Sequence, residues 1–61
     1  MYWVYYDSRS MTTYYTESYS MSASNFAQEV SILIGKTISA SDVQDVKRQS
    51  DLDRQLNPTH I

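Results

Sequence analysis

Every tyrosine in this chain, and its only tryptophan, falls within the first nineteen residues: Tyr2, Trp3, Tyr5, Tyr6, Tyr14, Tyr15 and Tyr19. Aromatic side chains favour a pleated, half-buried surface, so this segregation commits the N-terminal third to strands. From Ser22 onward the only aromatic is Phe26, and the apolar residues become Ala, Val, Ile and Leu. The chain therefore describes an aromatic sheet backed by an aliphatic helix, an α+β domain.

Its size limits what can hold it together. Sixty-one residues make a single domain, and a chain this short buries only about 60% of the surface its unfolded form exposes. There is no cysteine, which excludes disulfides and thiolate zinc sites. The one histidine, His60, cannot build a metal cluster alone, and no cofactor is expected. Self-association is the remaining device for a fold of this size, so a homodimer is expected. No apolar run approaches the roughly 20 residues of a membrane span, and no basic region precedes an apolar stretch at the N-terminus. The expected location is cytoplasmic, with no membrane partner.

Along the chain, Tyr2 to Asp7 reads as one strand and Thr12 to Tyr19 as a second. Asp7-Ser8-Arg9-Ser10 supplies turn formers without a glycine, so a loop of four or five residues joins them. Alternation puts Tyr2, Val4 and Tyr6 on one face, opposite Trp3, Tyr5 and Asp7. In strand two, Thr13, Tyr15, Glu17 and Tyr19 alternate with Thr12, Tyr14, Thr16 and Ser18. Tyr14 and Tyr15 therefore cannot both be core. Aromatics occupy both faces of this hairpin, and one helix layer covers only one of them.

Ala23, Phe26, Ala27, Val30, Leu33 and Ile34 follow helical spacing and form an apolar stripe. Ser22 or Ser24 can cap the start, and Gly35 supplies the left-handed residue that ends helices. Ile32 projects away from the stripe. Beyond it, Ser41 to Gln44 matches a capping box, which predicts a short helix over Asp42 to Gln49 with Val43 and Val46 inward. The alternative is a third strand over Val43 to Gln49, which a lone hairpin needs for stability. The domain is expected to span residues 1–56, with 57–61 a loose tail.

The residues argue against catalysis. A nucleophile needs a base, and the only imidazole lies in the expected tail. Asp42 is explained as a helix-start residue, and Asp51 and Asp53 as solvated charges. A calcium loop would need a denser acidic pattern with a central glycine. Gly35-Lys36-Thr37 resembles the end of a phosphate loop, but its glycine closes a helix instead of opening one. An enzyme is not expected. Single-strand binders stack bases on sheet aromatics, and Trp3, Tyr5 and Tyr15 are candidates. Arg9 is the only cation among them, however, and the net charge is −2, so nucleic acid is not the expected partner. Aromatic sheet residues and an apolar helix face suit a protein partner better. A structural, self-assembling subunit is a further alternative.

The run Tyr14-Tyr15-Thr16-Glu17-Ser18-Tyr19-Ser20-Met21-Ser22-Ala23-Ser24-Asn25-Phe26, with Gly35 and Thr37 beyond it, resembles the strand-to-helix segment of the small dimeric uracil-DNA glycosylase inhibitors of Bacillus phages. The likeness lies in a paired tyrosine, a hydrophobe, alternating serines, an acid and a phenylalanine at matching spacing, over about a third of the chain. It implies a phage-encoded homodimeric inhibitor in the host cytoplasm that occupies the DNA site of a DNA-repair enzyme, uracil-DNA glycosylase. In that family an apolar groove traps a leucine of the enzyme, and acidic groups imitate DNA phosphates. By position, Phe26 would line the groove and Val30 would stand where the family has a tyrosine. Thr16 stands at a functional glutamate, with Glu17 one place along on the opposite face. Mild acidity is a further departure. The expected partner-binding residues are Phe26, Val30, Glu17, Tyr14, Tyr15 and Tyr19.

Overall fold

The computed structural model describes all residues 1–61. Strand β1 (Tyr2–Asp7) and strand β2 (Thr12–Glu17) form the antiparallel hairpin, with Val4 opposite Tyr15 and Tyr5 opposite Tyr14. The connection is the expected four-residue loop. Its left-handed position is taken by Met11, at φ 54°. Asp7 organises the loop from below: its carboxylate accepts from the Arg9 backbone at 3.2 Å and from the Ser10 hydroxyl at 2.9 Å.

Helix α1 (Ala23–Ile34) follows. Ser22 is its cap, accepting from the Asn25 amide at 3.1 Å, and Gly35 closes it at φ 67°. Phe26, Ala27, Val30 and Ile38 form the core cluster, against which Trp3, Tyr5, Tyr14, Met21, Ile34, Val43 and Ile61 pack. Helix α1 therefore covers the Trp3/Tyr5/Tyr14 face of the hairpin. Three polar ties fix it there. The Trp3 indole donates to the Met21 carbonyl at 2.7 Å. The Arg9 guanidinium donates to the Ile34 carbonyl at 2.8 Å, where the last helical carbonyls lack partners. The Ser31 hydroxyl accepts from the Ile38 amide at 3.0 Å, holding the following segment in the core.

Beyond α1 the structure corrects two expectations. The Asp42–Gln49 helix does not form. The capping box sits two residues earlier than expected, from Ser39 to Asp42, and opens only a single 3-10 turn (Ala40–Asp42), with the Asp42 carboxylate accepting from the Ser39 amide at 2.9 Å. Val43 is then already extended, at φ −86° and ψ 132°. Strand β3 (Gln44–Val46) pairs antiparallel with β1, placing Val46 opposite Tyr2 and Gln44 opposite Val4. The open edge of β1 carries backbone groups that need partners, and β-branched Val43 and Val46 suit a strand; these outweigh the local capping signal. The second helix, α2 (Gln49–Asp53), lies further along.

The tail is also ordered. Strand β4 (Pro58–His60) pairs parallel with β2, Tyr14 opposite Thr59 and Tyr15 opposite His60. The Ile61 amide extends the ladder to the Tyr15 carbonyl at 3.0 Å. The ends of β2 would otherwise present a second open edge, and Ile61 gains a place in the core. The domain is therefore not confined to residues 1–56.

The result is a four-stranded mixed sheet in the order β3-β1-β2-β4. Helix α2 lies on the face that α1 leaves open: the Tyr2 hydroxyl bonds to Gln49, and Val4 and Leu52 are buried outside the α1 cluster. The crossovers β2-α1-β3 and β3-α2-β4 run in opposite directions over opposite faces. They consequently share one hand, as parallel connections require. No helix is long and apolar enough to cross a membrane.

Candidate functional site

The side chains marked as partner-binding separate into three environments. Phe26 and Val30 are fully buried. They sit on the inner stripe of α1 because residues three and four apart share a helix face, and the sheet occupies that face. Neither lines a groove in this chain. Tyr14 is half-buried beneath α1. Tyr15 and Glu17 belong to the opposite face of the sheet, and Tyr19, just past β2, is 87% exposed.

On that opposite face the parallel register of β4 builds a constellation that spans three strands. Tyr2 meets Tyr15 edge-on at a ring separation of 5.8 Å, and Tyr15 meets His60 edge-on at 5.0 Å. The His60 Nε2 lies 2.9 and 3.0 Å from the two Glu17 carboxylate oxygens, and its Nδ1 lies 2.7 Å from the Ile61 carbonyl oxygen. Both partners are acceptors only, so both ring nitrogens donate and the imidazolium is the form that satisfies the site. The hydrogen bond to Glu17 and that to the Ile61 carbonyl accordingly raise the His60 pKa. The same His60 bond leads the causes that lower Glu17, and the Met1 amine adds to them.

This arrangement can hold a strand and fix a charge. It leaves no free imidazole nitrogen to accept a proton from a hydroxyl. No cavity lies on the surface, and no three His, Asp or Glu side chains come together as metal ligands. Glu17 is engaged within the chain instead of standing free as a phosphate substitute.

Sequence reasoning misses His60, because its position near the end of the chain assigns it to a loose segment. The available signal is weak: Thr59 and Ile61 are β-branched and flank it. Asp7 is a turn former by sequence, and the structure adds that it is buried. Burial alone would raise its pKa, but hydrogen bonds from Ser10 and the Arg9 backbone, with the Arg9 charge, bring it below the ordinary value.

Large apolar side chains remain at the surface in three places. Met1 and Tyr19 are exposed at the open end of the hairpin, where the Ser18 amide donates to the Met1 carbonyl. Tyr6, Met11 and Leu56 lie near the hairpin-loop end, where the Thr13 amide donates to the Leu56 carbonyl and Asn57 donates to the Met11 carbonyl. Ile32 and Leu33 are exposed on α1, by 73% and 58%. Leu33 thus departs from the inward stripe to which its spacing assigned it. In comparisons with known proteins, no family model matches the chain, and no curated protein or solved structure matches it either.

Proposed function

We propose that this protein acts by binding another protein, and that its specific form is a non-enzymatic inhibitor occupying the DNA site of a uracil-DNA glycosylase. The observation that carries the binding reading is the balance of apolar side chains. Six hydrophobic residues are buried, while seven large ones, from Tyr6 at 42% to Tyr19 at 87%, stay exposed. A chain this small has few apolar residues to lose from its core, and clustered exposed ones are the usual material of an interface.

The glycosylase target rests on the strand-to-helix resemblance. With Phe26 and Val30 in the core, a groove built from them would require the helix to leave the sheet. The inhibitor reading therefore relies on Tyr19 and the exposed apolar groups, not on those two positions. The nucleic-acid alternative loses support here, because α1 covers Trp3, Tyr5 and Tyr14, and Tyr15 is packed between Tyr2 and His60.

The test is uracil excision from a DNA oligonucleotide by a bacterial uracil-DNA glycosylase, titrated with this protein. Stoichiometric loss of excision is the expected result. Unchanged excision at large excess would remove the glycosylase target and leave a binding module for a different protein.

A further inference from the structure

The two faces of the sheet are covered in different ways. Helix α1 closes the Trp3/Tyr5/Tyr14 face with Phe26, Ala27 and Val30, backed by Ile38. The opposite face carries Tyr2, Val4, Tyr6, Thr13, Tyr15 and Glu17, since Tyr2 lies opposite Glu17, Val4 opposite Tyr15 and Tyr6 opposite Thr13. Val4 and Thr13 are fully buried there. What covers them is residues 48–56, the connection that carries α2, and within it Leu52 is the one buried side chain.

The two ends of this segment are anchored independently of it. On one side, β3 is paired with β1. On the other, the Ile61 amide bonds to the Tyr15 carbonyl, His60 holds Glu17, and Ile61 packs against the α1 cluster. Asn57, at φ 48°, turns the chain between the segment and β4. The segment's own ties are mostly internal. The Leu52 amide donates to the Arg48 carbonyl at 3.2 Å, the Gln55 amide to the Leu52 carbonyl at 3.0 Å, and the Gln49 side-chain amide to Asp53 at 2.9 Å. Outward, the Tyr2 hydroxyl bonds to Gln49, and the Thr13 amide donates to the Leu56 carbonyl at 3.1 Å. The Thr13 amide also reaches the Asn57 carbonyl at 3.3 Å, so it keeps a partner without Leu56. Arg48, Asp51, Asp53 and Arg54 take no part in the chain's ion pairs.

We infer that residues 48–56 form a lid that opens as a unit, hinged at Lys47 and Asn57, while α1 and the four strands stay folded. One buried leucine favours closure. Closure also leaves the Thr13 hydroxyl buried without a partner, which opposes it. Opening gives that hydroxyl water and leaves the sheet ladders and the α1 core unbroken. It therefore takes less free energy than global unfolding. In the closed state the occupant of this face is Leu52 of the same chain, so the lid withholds Val4 and Thr13 from any partner. This holds whichever protein the chain binds.

The chain has no cysteine, so a thiol placed in it reports its own exposure. Thr13→Cys puts one beneath the lid and Val30→Cys puts one in the α1 core, each checked for folding by circular dichroism. Both are labelled with a small thiol reagent in dilute urea. Thr13→Cys should react about tenfold faster than Val30→Cys or more. Its rate should depend little on urea, because lid opening exposes little surface. Ile38→Val, which weakens only the α1 side, should speed labelling of Val30→Cys by about fivefold and leave Thr13→Cys unchanged. Native-state hydrogen exchange gives the same contrast without a thiol. In the unsubstituted chain the Leu52 amide should exchange faster than the Val30 amide, and Ile38→Val should speed the second alone. Equal labelling rates with equal urea dependence would overturn the inference. So would an Ile38→Val background in which Thr13→Cys labelling, or Leu52 exchange, rises together with that of residue 30.

Discussion

At the residue scale, Thr13 and Phe26 make opposite contributions. The Thr13 side chain is fully buried, and its hydroxyl has no hydrogen-bond partner. An unsatisfied buried polar group costs about 1–3 kcal/mol, whereas an apolar group of the same shape does not. Thr13→Val should therefore raise stability by about 1 kcal/mol in urea unfolding; a loss would mean that the hydroxyl has a partner in solution. Phe26 is the largest buried side chain. Removing a buried Phe costs about 3–5 kcal/mol, against the roughly 3–9 kcal/mol available to a domain of this length. Phe26→Ala should lower the unfolding free energy by about 3–5 kcal/mol in urea unfolding, and a loss below about 1 kcal/mol would contradict its place in the core. The apolar identity of Phe26 and its helical phase were legible from the sequence. Thr13 was not, because alternation assigns it to a face without showing that α2 will cover that face.

At the element scale, α1 and β4 mark the two extremes of legibility. Everything that shapes α1 is local: a capping serine, a periodic stripe and a terminal glycine within fourteen residues. What holds β4 comes from across the sheet, at Glu17. A raised His60 pKa stabilises the docked strand below the unfolded value of about 6.5, and this is lost as pH rises through the folded value. A lowered Glu17 pKa stabilises it above the ordinary 4.5, and this is lost as pH falls through the folded value. Between 4.5 and 6.5 both contributions are present. Hydrogen-exchange protection of the Ile61 amide should peak in that window and fall on the alkaline side. His60→Gln should remove the alkaline fall, and an unchanged profile in that variant would show that the Glu17 pair does not hold the strand. The sheet edges are also guarded, since Pro58 lies in β4 and the Lys47–Asp45 pair, at 2.7 Å, lies at β3. Short charged edges and edge prolines discourage further strand pairing.

At the scale of the whole molecule, the radius of gyration is 10.4 Å, close to the value of about 10.5 Å for a compact chain of this length. Compactness is reached by placing a helix on each face of the sheet, yet only nine residues are buried. Tyr19 contributes almost nothing to that burial. Tyr19→Ala should change unfolding free energy by less than about 0.5 kcal/mol while weakening the proposed inhibition of a glycosylase by about tenfold, the effect of losing an aromatic anchor. Equal inhibition by the variant and the parent would remove Tyr19 from the interface.

The sequence by itself determined the α+β class, the aromatic hairpin and its strand faces, and the start and end of α1. All of these follow from side-chain period and from turn and cap residues that act on near neighbours. Only the tertiary structure decided that residues 44–46 and 58–60 are strands, that the second helix begins at Gln49, and that His60 meets Glu17. Those segments are too short to carry a period of their own. Their conformation is set by the open edges and uncovered face of a hairpin more than forty residues away from the end of the chain.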